Sequence, residues 1–203
     1  YCYKYKNKLN KGNNTMKKLS FLAITTALLT GTSLTSTAQD LDAFKAQVLE
    51  DVAKIASNSV ITSKIKERNT AHASLTEADI LKLDGVWREE VKSGTYNVVD
   101  TLLNNDASKE LVKMKDESKG VYGEIFIMDD KGLNVATSDV TSDYWQGDEA
   151  KWKETYLKGA GSTHISEVEF DESVQAFTAQ ISSAISDETG AVIGAVTFSV
   201  IME

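Results

Sequence analysis

The pattern of apolar residues changes once along the chain, and this change constrains the fold more than any other feature. Between about residues 40 and 115, apolar residues recur at spacings of three and four, which is the period of amphipathic helices. Between residues 121 and 202, runs of β-branched and aromatic residues alternate with short turn sequences containing Gly and Asp. Helices grouped before strands predict an α+β domain.

The helical part divides into three regions. The first is one long helix over residues 40–69, whose apolar stripe must be covered by the sheet or by a second copy of the protein. The second begins after Thr76, a favourable N-cap residue, with Asp79 at the third helical position and Gly94 at the C-terminal end. The third covers residues 98–114 with a break near its middle. The buried face of the second helix contains Trp87, which we expect in the core.

The second half of the chain predicts five strands. They cover residues 121–129, 133–137, 164–170, 174–185 and 192–202. The last three are consecutive and joined by short turns, so the sheet is antiparallel at least there. The expected fold is therefore α+β, with a long N-terminal helix and shorter helices packed on a five-stranded antiparallel sheet.

The N-terminal region has the organisation of a secretory signal. Met16 is followed by two Lys, an apolar run over residues 19–29, and the small-residue motif Ser-Thr-Ala at 36–38. We expect residues 1–15 to be upstream read-through that is not native and residues 16–38 to be a signal peptide. Cleavage near Ala38–Gln39 would then release residues 39–203 as a single domain into the periplasm, the alternative being an uncleaved membrane anchor.

The charge of the exported domain excludes some classes of partner. Removal of the six Lys before residue 39 leaves 16 Lys and Arg against 30 Asp and Glu, a net charge of −14. A surface this acidic argues against nucleic acid or an anionic membrane as a partner. Cys2 is the only cysteine and precedes the signal, so the exported domain has no disulfide and depends on its core for stability.

The stretch over residues 141–156, TSDYWQGDEAKWKETY, is the candidate ligand-binding site. It combines two Trp, two Tyr and charges of both signs in a loop and short helix between two strand regions. Aromatic faces supply contact area for a small polar ligand, and fixed charges orient it. The alternative is that Trp145 and Trp152 are core anchors and that the charges form a solvated helix face.

Each residue type in this stretch suits a particular role. The expected walls are three aromatic residues, and a fourth one helical turn further on would close the pocket: Tyr144, Trp145, Trp152 and Tyr156. The expected charged contacts are Lys151 or Lys153 for a carboxylate and Asp143 or Asp148 for an ammonium group. Asp148 has a second interpretation, because it follows Gly147 where a helix N-cap is expected.

The strand over residues 174–185 has one face more polar than the other. That face carries Thr178, Gln180 and Ser182, so it either lines the pocket, with Gln180 as the best-placed contact, or is solvated. Phe126 and Met128 share a face of the first strand and are expected in the core.

The sequence contains no recognisable catalytic motif. His72 and His164 have no metal-ligand spacing around them, and no GxSxG, phosphate-binding glycine loop or HExxH occurs. Asp129, Asp130, Asn134 and Asp139 do not have the spacing of a calcium-binding EF-hand loop. We therefore expect no enzymatic activity, no cofactor and no metal, and we expect His72 to lie exposed in a polar turn.

Two motifs resemble a known family. Residues 124–135 (EIFIMDDKGLNV) and 141–152 (TSDYWQGDEAKW) are similar to the single-Cache proteins exported by proteobacteria, a group of PAS-like extracytoplasmic sensor domains also called PDC domains. The resemblance covers about residues 44–203. It implies a pocket between the central sheet and the loop-and-helix insertion, for a small organic molecule such as an amino acid or organic carboxylate.

The resemblance also suggests partners. Membrane receptors of this kind continue into a second transmembrane helix and an output domain, whereas this sequence ends at Glu203, directly after its last predicted strand. We therefore expect a small-molecule-binding domain that lacks its own output domain and works with a membrane histidine kinase, cyclase or chemoreceptor. The alternative is an interaction protein that dimerises, or docks on a membrane signalling partner, through the helix over residues 40–69. A hydrolytic enzyme is the third class.

Overall fold

The computed structural model describes residues 34–171 and 174–202, with side chains from residue 41 onward. The predicted upstream segment and the predicted signal peptide up to residue 33 lie outside the described residues. The first helix begins at Leu34, inside the predicted signal peptide, so the cleavage site stays a prediction.

The helices lie mostly in the first half of the chain. They are α1 (Leu34–Ser57), α2 (Ser59–His72), α3 (Glu77–Ser93), α4 (Val98–Leu103), α5 (Asp106–Glu117) and α6 (Ala150–Lys153), with a 3₁₀ turn at Tyr156–Lys158. None of the helices within the described ranges combines the length and apolar composition needed to cross a membrane.

The prediction of one continuous helix over residues 40–69 is wrong at Asn58. Asn58 adopts an extended conformation (φ −81°, ψ 109°), and its side chain accepts hydrogen bonds from the backbone N–H groups of Val60 and Ile61. Asn competes with helical hydrogen bonding in this way because its short amide side chain reaches nearby backbone groups. The segment is therefore two helices, with Asn58 as the N-cap of α2.

The predicted ends of α3 are confirmed. Thr76 and Asp79 form a capping box, in which each side chain accepts from the backbone N–H of the other residue. Gly94 ends the helix in the left-handed conformation, with φ 70°. Trp87 is fully buried, as expected.

The sheet is antiparallel throughout and has six strands rather than the five predicted. The strands are β1 (Tyr122–Met128), β2 (Asn134–Thr137), β3 (Thr163–Ile165), β4 (Glu169–Asp171), β5 (Ala176–Ser186) and β6 (Val192–Met202). Their order is β2-β1-β6-β5-β3, and β4 also pairs with β5. The extra strand arises because the strand predicted over residues 164–170 is interrupted. The hydroxyl of Ser166 accepts a hydrogen bond from the backbone N–H of Gln180 at 2.8 Å. Strand pairing with β5 then resumes only at Glu169.

One face of the sheet packs against α1, α2 and α5. The apolar stripe of α1, with Val48, Val52 and Ile55 buried, belongs to the same core cluster as Ile181 and Phe198 of the sheet. Each such aliphatic side chain contributes about 1.5–3 kcal/mol by leaving water. The sheet, rather than a second copy of the chain, therefore covers this stripe.

The opposite face of the sheet is more polar. Directly paired residues in adjacent strands point to the same face. Three cross-strand rows follow from the register: Glu124–Ser199–Gln180, Phe126–Thr197–Ser182 and Met128–Ala195–Ala184. The side chains of Trp152 and Tyr156 cover Phe126 and Met128, which are buried as predicted.

Candidate ligand-binding site

A cavity of about 470 Å³ lies on the polar face of the sheet, beside the start of α6. It is lined by Glu149, Ala150, Lys151, His164, Ser166, Glu167, Glu169, Phe170, Asp171, Thr178 and Gln180. Its volume falls in the range of about 300–1,000 Å³ that is typical of small-molecule sites. Two residues of the predicted site, Lys151 and Gln180, meet in this cavity although they are far apart in the sequence.

The lining is predominantly acidic. It contains four carboxylates, from Glu149, Glu167, Glu169 and Asp171, against a single Lys. The ammonium group of Lys151 lies 3.0 Å from the carboxylate of Glu149 and also donates to the side chain of Gln146. Lys151 is thus already paired and only 12% of its side chain is exposed, so Glu167 and Glu169 leave the lining with a net negative charge.

Glu124 and Ser199 lie near the cavity on the same face of the sheet. Glu124 and Ser199 share a cross-strand row with Gln180, which lines the cavity. The hydroxyl of Ser199 is fully buried and has no hydrogen-bond partner within the described residues. Leaving a buried polar group unpaired costs about 1–3 kcal/mol. Ser199 itself is outside the set of residues that line this cavity.

Glu124 is the most perturbed carboxyl group in this region. Burial raises its pKa to about 7, Asp139 and Asp171 add to the rise, and Lys151 and Lys115 oppose it. Sequence reasoning missed Glu124 as a site residue, although it has the same strand parity as Phe126 and Met128 and was therefore detectable as a polar residue on that face.

Trp152 and Tyr156 lie next to the cavity but do not line it. Their rings stack with centroids 5.1 Å apart, and the indole N–H of Trp152 donates to the carbonyl of Asp129 at 3.0 Å. Burial raises the pKa of Tyr156. The pair fixes α6 on the sheet and thereby positions Lys151, whose ammonium group lies 5.4 Å from the ring centroid of Phe126.

The first part of the predicted site lies elsewhere. Tyr144 is buried and stacks on Trp87, with ring centroids 5.5 Å apart. Trp145 donates its indole N–H to the carbonyl of Lys131 at 2.9 Å, and the carboxylate of Asp143 pairs with Arg88 at 2.9 Å. Asp143, Tyr144 and Trp145 are outside the set of cavity-lining residues, and their contacts are those of structural anchors.

Asp148 is not the N-cap of the helix that follows it. That helix begins at Ala150, so Glu149 occupies the N-cap position, and no side chain caps the helix there. The short helix predicted in the stretch over residues 141–156 is a single α-helical turn followed by the separate 3₁₀ turn. Asp148 is exposed and lies outside the cavity lining.

His72 is buried, which contradicts the expectation of an exposed polar turn. It is the last residue of α2 and only 5% exposed, with Nδ1 2.5 Å from Oδ2 of Asp129 and Nε2 2.7 Å from Nη2 of Arg68. Because a guanidinium group only donates, Nε2 must accept, and Nδ1–H then donates to Asp129. The other oxygen of Asp129 accepts the backbone N–H groups of Lys131 and Leu133, both at 2.9 Å.

Comparisons with known proteins found similar structures but no similar sequences. No protein-family model and no curated protein sequence matches the chain. The ligand-binding domain of the Campylobacter jejuni chemoreceptor Tlp3, solved with L-norvaline, is 13% identical with a TM-score of 0.39, over 78% of this chain and 60% of that chain. The ligand-binding domain of the Pseudomonas aeruginosa PAO1 amino acid chemoreceptor PctC, in complex with GABA, is 13% identical with a TM-score of 0.39, over 79% of this chain and 62% of that chain.

A third similar structure is the sensor domain of the V. cholerae histidine kinase DctB, which is 10% identical with a TM-score of 0.36, over 80% of this chain and 57% of that chain. This chain thus spans about three fifths of the length of these domains. At this distance none of them assigns a ligand or a residue role to the chain. The strand order, with three helices packed on one face and the α6 insertion on the other, is that of the expected α+β domain with an antiparallel sheet, and it is consistent with a PAS-like fold.

Proposed function

We propose that this protein is a periplasmic binding domain that holds a small polar organic molecule in the cavity between the sheet and α6. The single observation that carries the proposal is the cavity itself, about 470 Å³ in volume and lined mostly by polar side chains together with Phe170. Binding rather than catalysis is proposed because the lining contains no nucleophile activated by a neighbouring base.

The charge of the lining favours a ligand that carries an amine. Two acids that line the cavity, Glu167 and Glu169, can contact an ammonium group, whereas Lys151 is held by Glu149. A charge-assisted hydrogen bond from an ammonium group to a carboxylate is about twice as strong as a neutral one. Within the expected class, amino acids therefore fit better than organic carboxylates without an amine, and simple amines extend the class.

The proposed cellular role follows from the predicted export signal. Residues 39–203 would act in the periplasm and pass the state of the cavity to a membrane histidine kinase, cyclase or chemoreceptor. We also propose that the segment over residues 40–69 mediates dimerisation. The contact would use the surface of α1 and α2 that faces away from the sheet. Leu49 of α1 and Val60 of α2 are exposed apolar residues on that segment.

A thermal-shift screen of the purified protein tests the binding function. The panel contains amino acids, amines and organic acids, each as a separate probe. A ligand at about 100 times its Kd stabilises the native state by roughly 2.7 kcal/mol, which gives a clear rise in Tm. A hit among the amines or amino acids supports the proposal; a panel without any shift contradicts it.

A double variant that removes two carboxylates from the cavity tests where the ligand binds. Glu167→Gln with Glu169→Gln should lower the affinity of the amine hit about tenfold or more, because two of the carboxylates around the ammonium group are removed. Glu89→Gln, at an exposed position of α3, is the control and should leave the affinity unchanged. Equal losses of affinity in the double variant and in Glu89→Gln would place the ligand outside the cavity.

A further inference from the structure

The outward side of α3 is a helix face that the rest of the described chain leaves uncovered. On its inner side the helix buries Ile80, Asp84 and Trp87, against α4 and the stretch over residues 141–156. With 3.6 residues per turn, the opposite side carries six residues, all of them exposed: Ala78, Leu81, Lys82, Gly85, Glu89 and Lys92. This outward face of α3 is about four turns long.

The middle of the outward face has a notch between two aliphatic side chains. Leu81 is 51% exposed and Val86, at the edge of the face, is 43% exposed. Gly85 lies between them and has no side chain. A single exposed aliphatic residue is ordinary on a protein surface. Two of them beside a notch have the shape with which the side chains of one helix fit between those of another.

Gly85 is not required by its own chain. Glycine is the least favourable residue after proline in the interior of a helix, and Gly85 lies in the middle of α3. Its φ is not positive, and a Cβ added there would meet no atom of the described chain within 4 Å. Neither conformation nor internal packing therefore explains the glycine. A glycine does allow the backbone of a second helix to come close at this point.

The charges around the notch are complementary to themselves. Lys82 lies three residues before Gly85, and Glu89 lies four residues after it on the same side of the face. They are about 10 Å apart along the helix axis, so they do not pair within one helix. In an antiparallel pair of α3 helices with a twofold axis between Gly85 and Val86, Lys82 of each copy is level with Glu89 of the other copy. The twofold symmetry forms this ion pair twice.

We propose that the outward face of α3 binds the same face of a second copy of this chain, in an antiparallel helix pair centred on Gly85. The two ion pairs between Lys82 and Glu89 fix the antiparallel orientation. Leu81 of each copy packs on the aliphatic stem of Lys92 of the other copy. This contact does not depend on the proposed ligand cavity, and it uses a different surface from α1 and α2.

The contact is expected to be weak. Two helices of 17 residues bury less than the roughly 1,200 Å² at which standard interfaces begin. We therefore expect a Kd on the order of 0.1–1 mM. At about 10 μM the α3 contact is then almost entirely dissociated, so Glu89 makes no contribution to unfolding or ligand binding measured at that concentration.

Charge reversal tests the ion pairs, with analytical ultracentrifugation of the purified protein from about 10 μM to 1 mM as the measurement. Lys82→Glu and Glu89→Lys should each weaken association about tenfold, because each places like charges at both symmetric contacts. An equimolar mixture of the two variants should associate as tightly as the wild type, since each contact of the mixed pair again joins Lys to Glu. Lys113→Glu, with the same charge change at an exposed position of α5, is the control and should leave association unchanged.

Substitution of Gly85 tests the close approach of the two helices. Gly85→Ala and Gly85→Leu should both fold, because the new side chain enters open space. Gly85→Ala should raise Tm at about 10 μM by about 2–4 °C, since Ala favours the helix. Both variants should weaken association, Gly85→Leu by more than about tenfold. A purely structural role of Gly85 would not combine higher stability with weaker association.

Three results would overturn the proposal. They are a wild-type mass that stays constant up to about 1 mM, a mixture that associates no better than its two separate variants, and unchanged association in Gly85→Leu. A face that binds a different protein gives the first of these results. If the chain also dimerises through the segment over residues 40–69, the α3 contact adds to the mass of that dimer, and the α3 variants remove only this addition.

Discussion

The carboxylate of Asp84 in α3 accepts the backbone N–H of Trp145 at 3.0 Å. The same oxygen accepts the N–H of Tyr144, also at 3.0 Å, and the other oxygen accepts from Arg88 at 2.7 Å. A buried side chain of the helical half thus fixes the backbone of the aromatic stretch. Trp145 is held as part of the scaffold, and this explains why it does not reach the cavity lined by Lys151 and Gln180.

Asp84→Ala should lower the free energy of unfolding by about 2–4 kcal/mol, because two buried N–H groups lose an ionised acceptor. Glu89→Ala, on the exposed face of the same helix, should change it by no more than about 0.5 kcal/mol. Urea unfolding followed by circular dichroism gives both values. Similar stabilities for the two variants would contradict the role assigned to Asp84.

Gly132→Ala should be much more destabilising than Gly190→Ala. Both glycines have a left-handed φ, 80° and 83°, so the conformational cost of adding a Cβ is similar. At Gly132 the new Cβ would lie 2.3 Å from the Cα of Gly147, a backbone atom, whereas at Gly190 nothing lies within 4 Å. We expect a loss of about 1 kcal/mol at Gly190 and about 3 kcal/mol or more at Gly132, measured by urea unfolding. Equal losses of stability in Gly132→Ala and Gly190→Ala would show that the close approach of the loops at Gly132 and Gly147 is not required for stability.

Local signals in the sequence predicted the elements well. The capping box of Thr76 and Asp79 depends on residues three positions apart, so it can be identified without any tertiary information. Asn58 also carries a local signal, because Asn is a favourable N-cap residue. The apolar periodicity continues across Asn58, however, and therefore predicts a single helix there. The strand pattern likewise predicts the antiparallel sheet but not the interruption of the third predicted strand at Ser166.

The site was only partly predictable, because its residues come together through the sheet register. Residue type alone identifies Lys151 and Gln180, whereas the acids at residues 167–171 lie in or beside a predicted strand and carry no local signal of a binding role. His72 was misjudged because its neighbours in the sequence are polar, while its burial depends on Asp129, which lies 57 residues further along the chain. Contacts at such separations carry no signature in a single sequence.

Glu124→Gln should change how stability depends on pH. The pKa of Glu124 is about 7 in the folded protein against an ordinary value of 4.5, so between these pH values the folded state binds more protons than the unfolded state. The contribution of Glu124 to the free energy of unfolding therefore falls as pH rises from about 4.5 to 7 and stays low above pH 7. Relative to the wild type, Glu124→Gln should be about 2 kcal/mol more stable at pH 8 and nearly equal at pH 5, after allowance for the water that reaches this half-buried group.

Urea unfolding of both proteins at pH 5 and pH 8 measures this difference, and Glu89→Gln is the control for loss of an exposed carboxylate. A stability difference between Glu124→Gln and the wild type that is the same at both pH values would contradict a raised pKa at Glu124. Because an ammonium ligand near Glu124 favours its ionised form, the affinity for an amine should also rise between pH 6 and pH 8 in the wild type, and less so in Glu124→Gln.

Lys151→Met distinguishes an amine ligand from a carboxylate ligand, because it should raise the affinity for the first and lower the affinity for the second. Removing the ammonium group releases Glu149 and removes the positive charge from the cavity, so an amine such as 1,4-diaminobutane should bind about three- to tenfold more tightly at pH 8. A carboxylate ligand held by Lys151 would instead bind more weakly. Isothermal titration calorimetry measures the affinity, and Lys153→Met, which makes the same change in charge at an exposed position, is the control. Weaker amine binding in Lys151→Met than in Lys153→Met would contradict an ammonium site at Glu167 and Glu169, and would favour organic carboxylates as the ligand class.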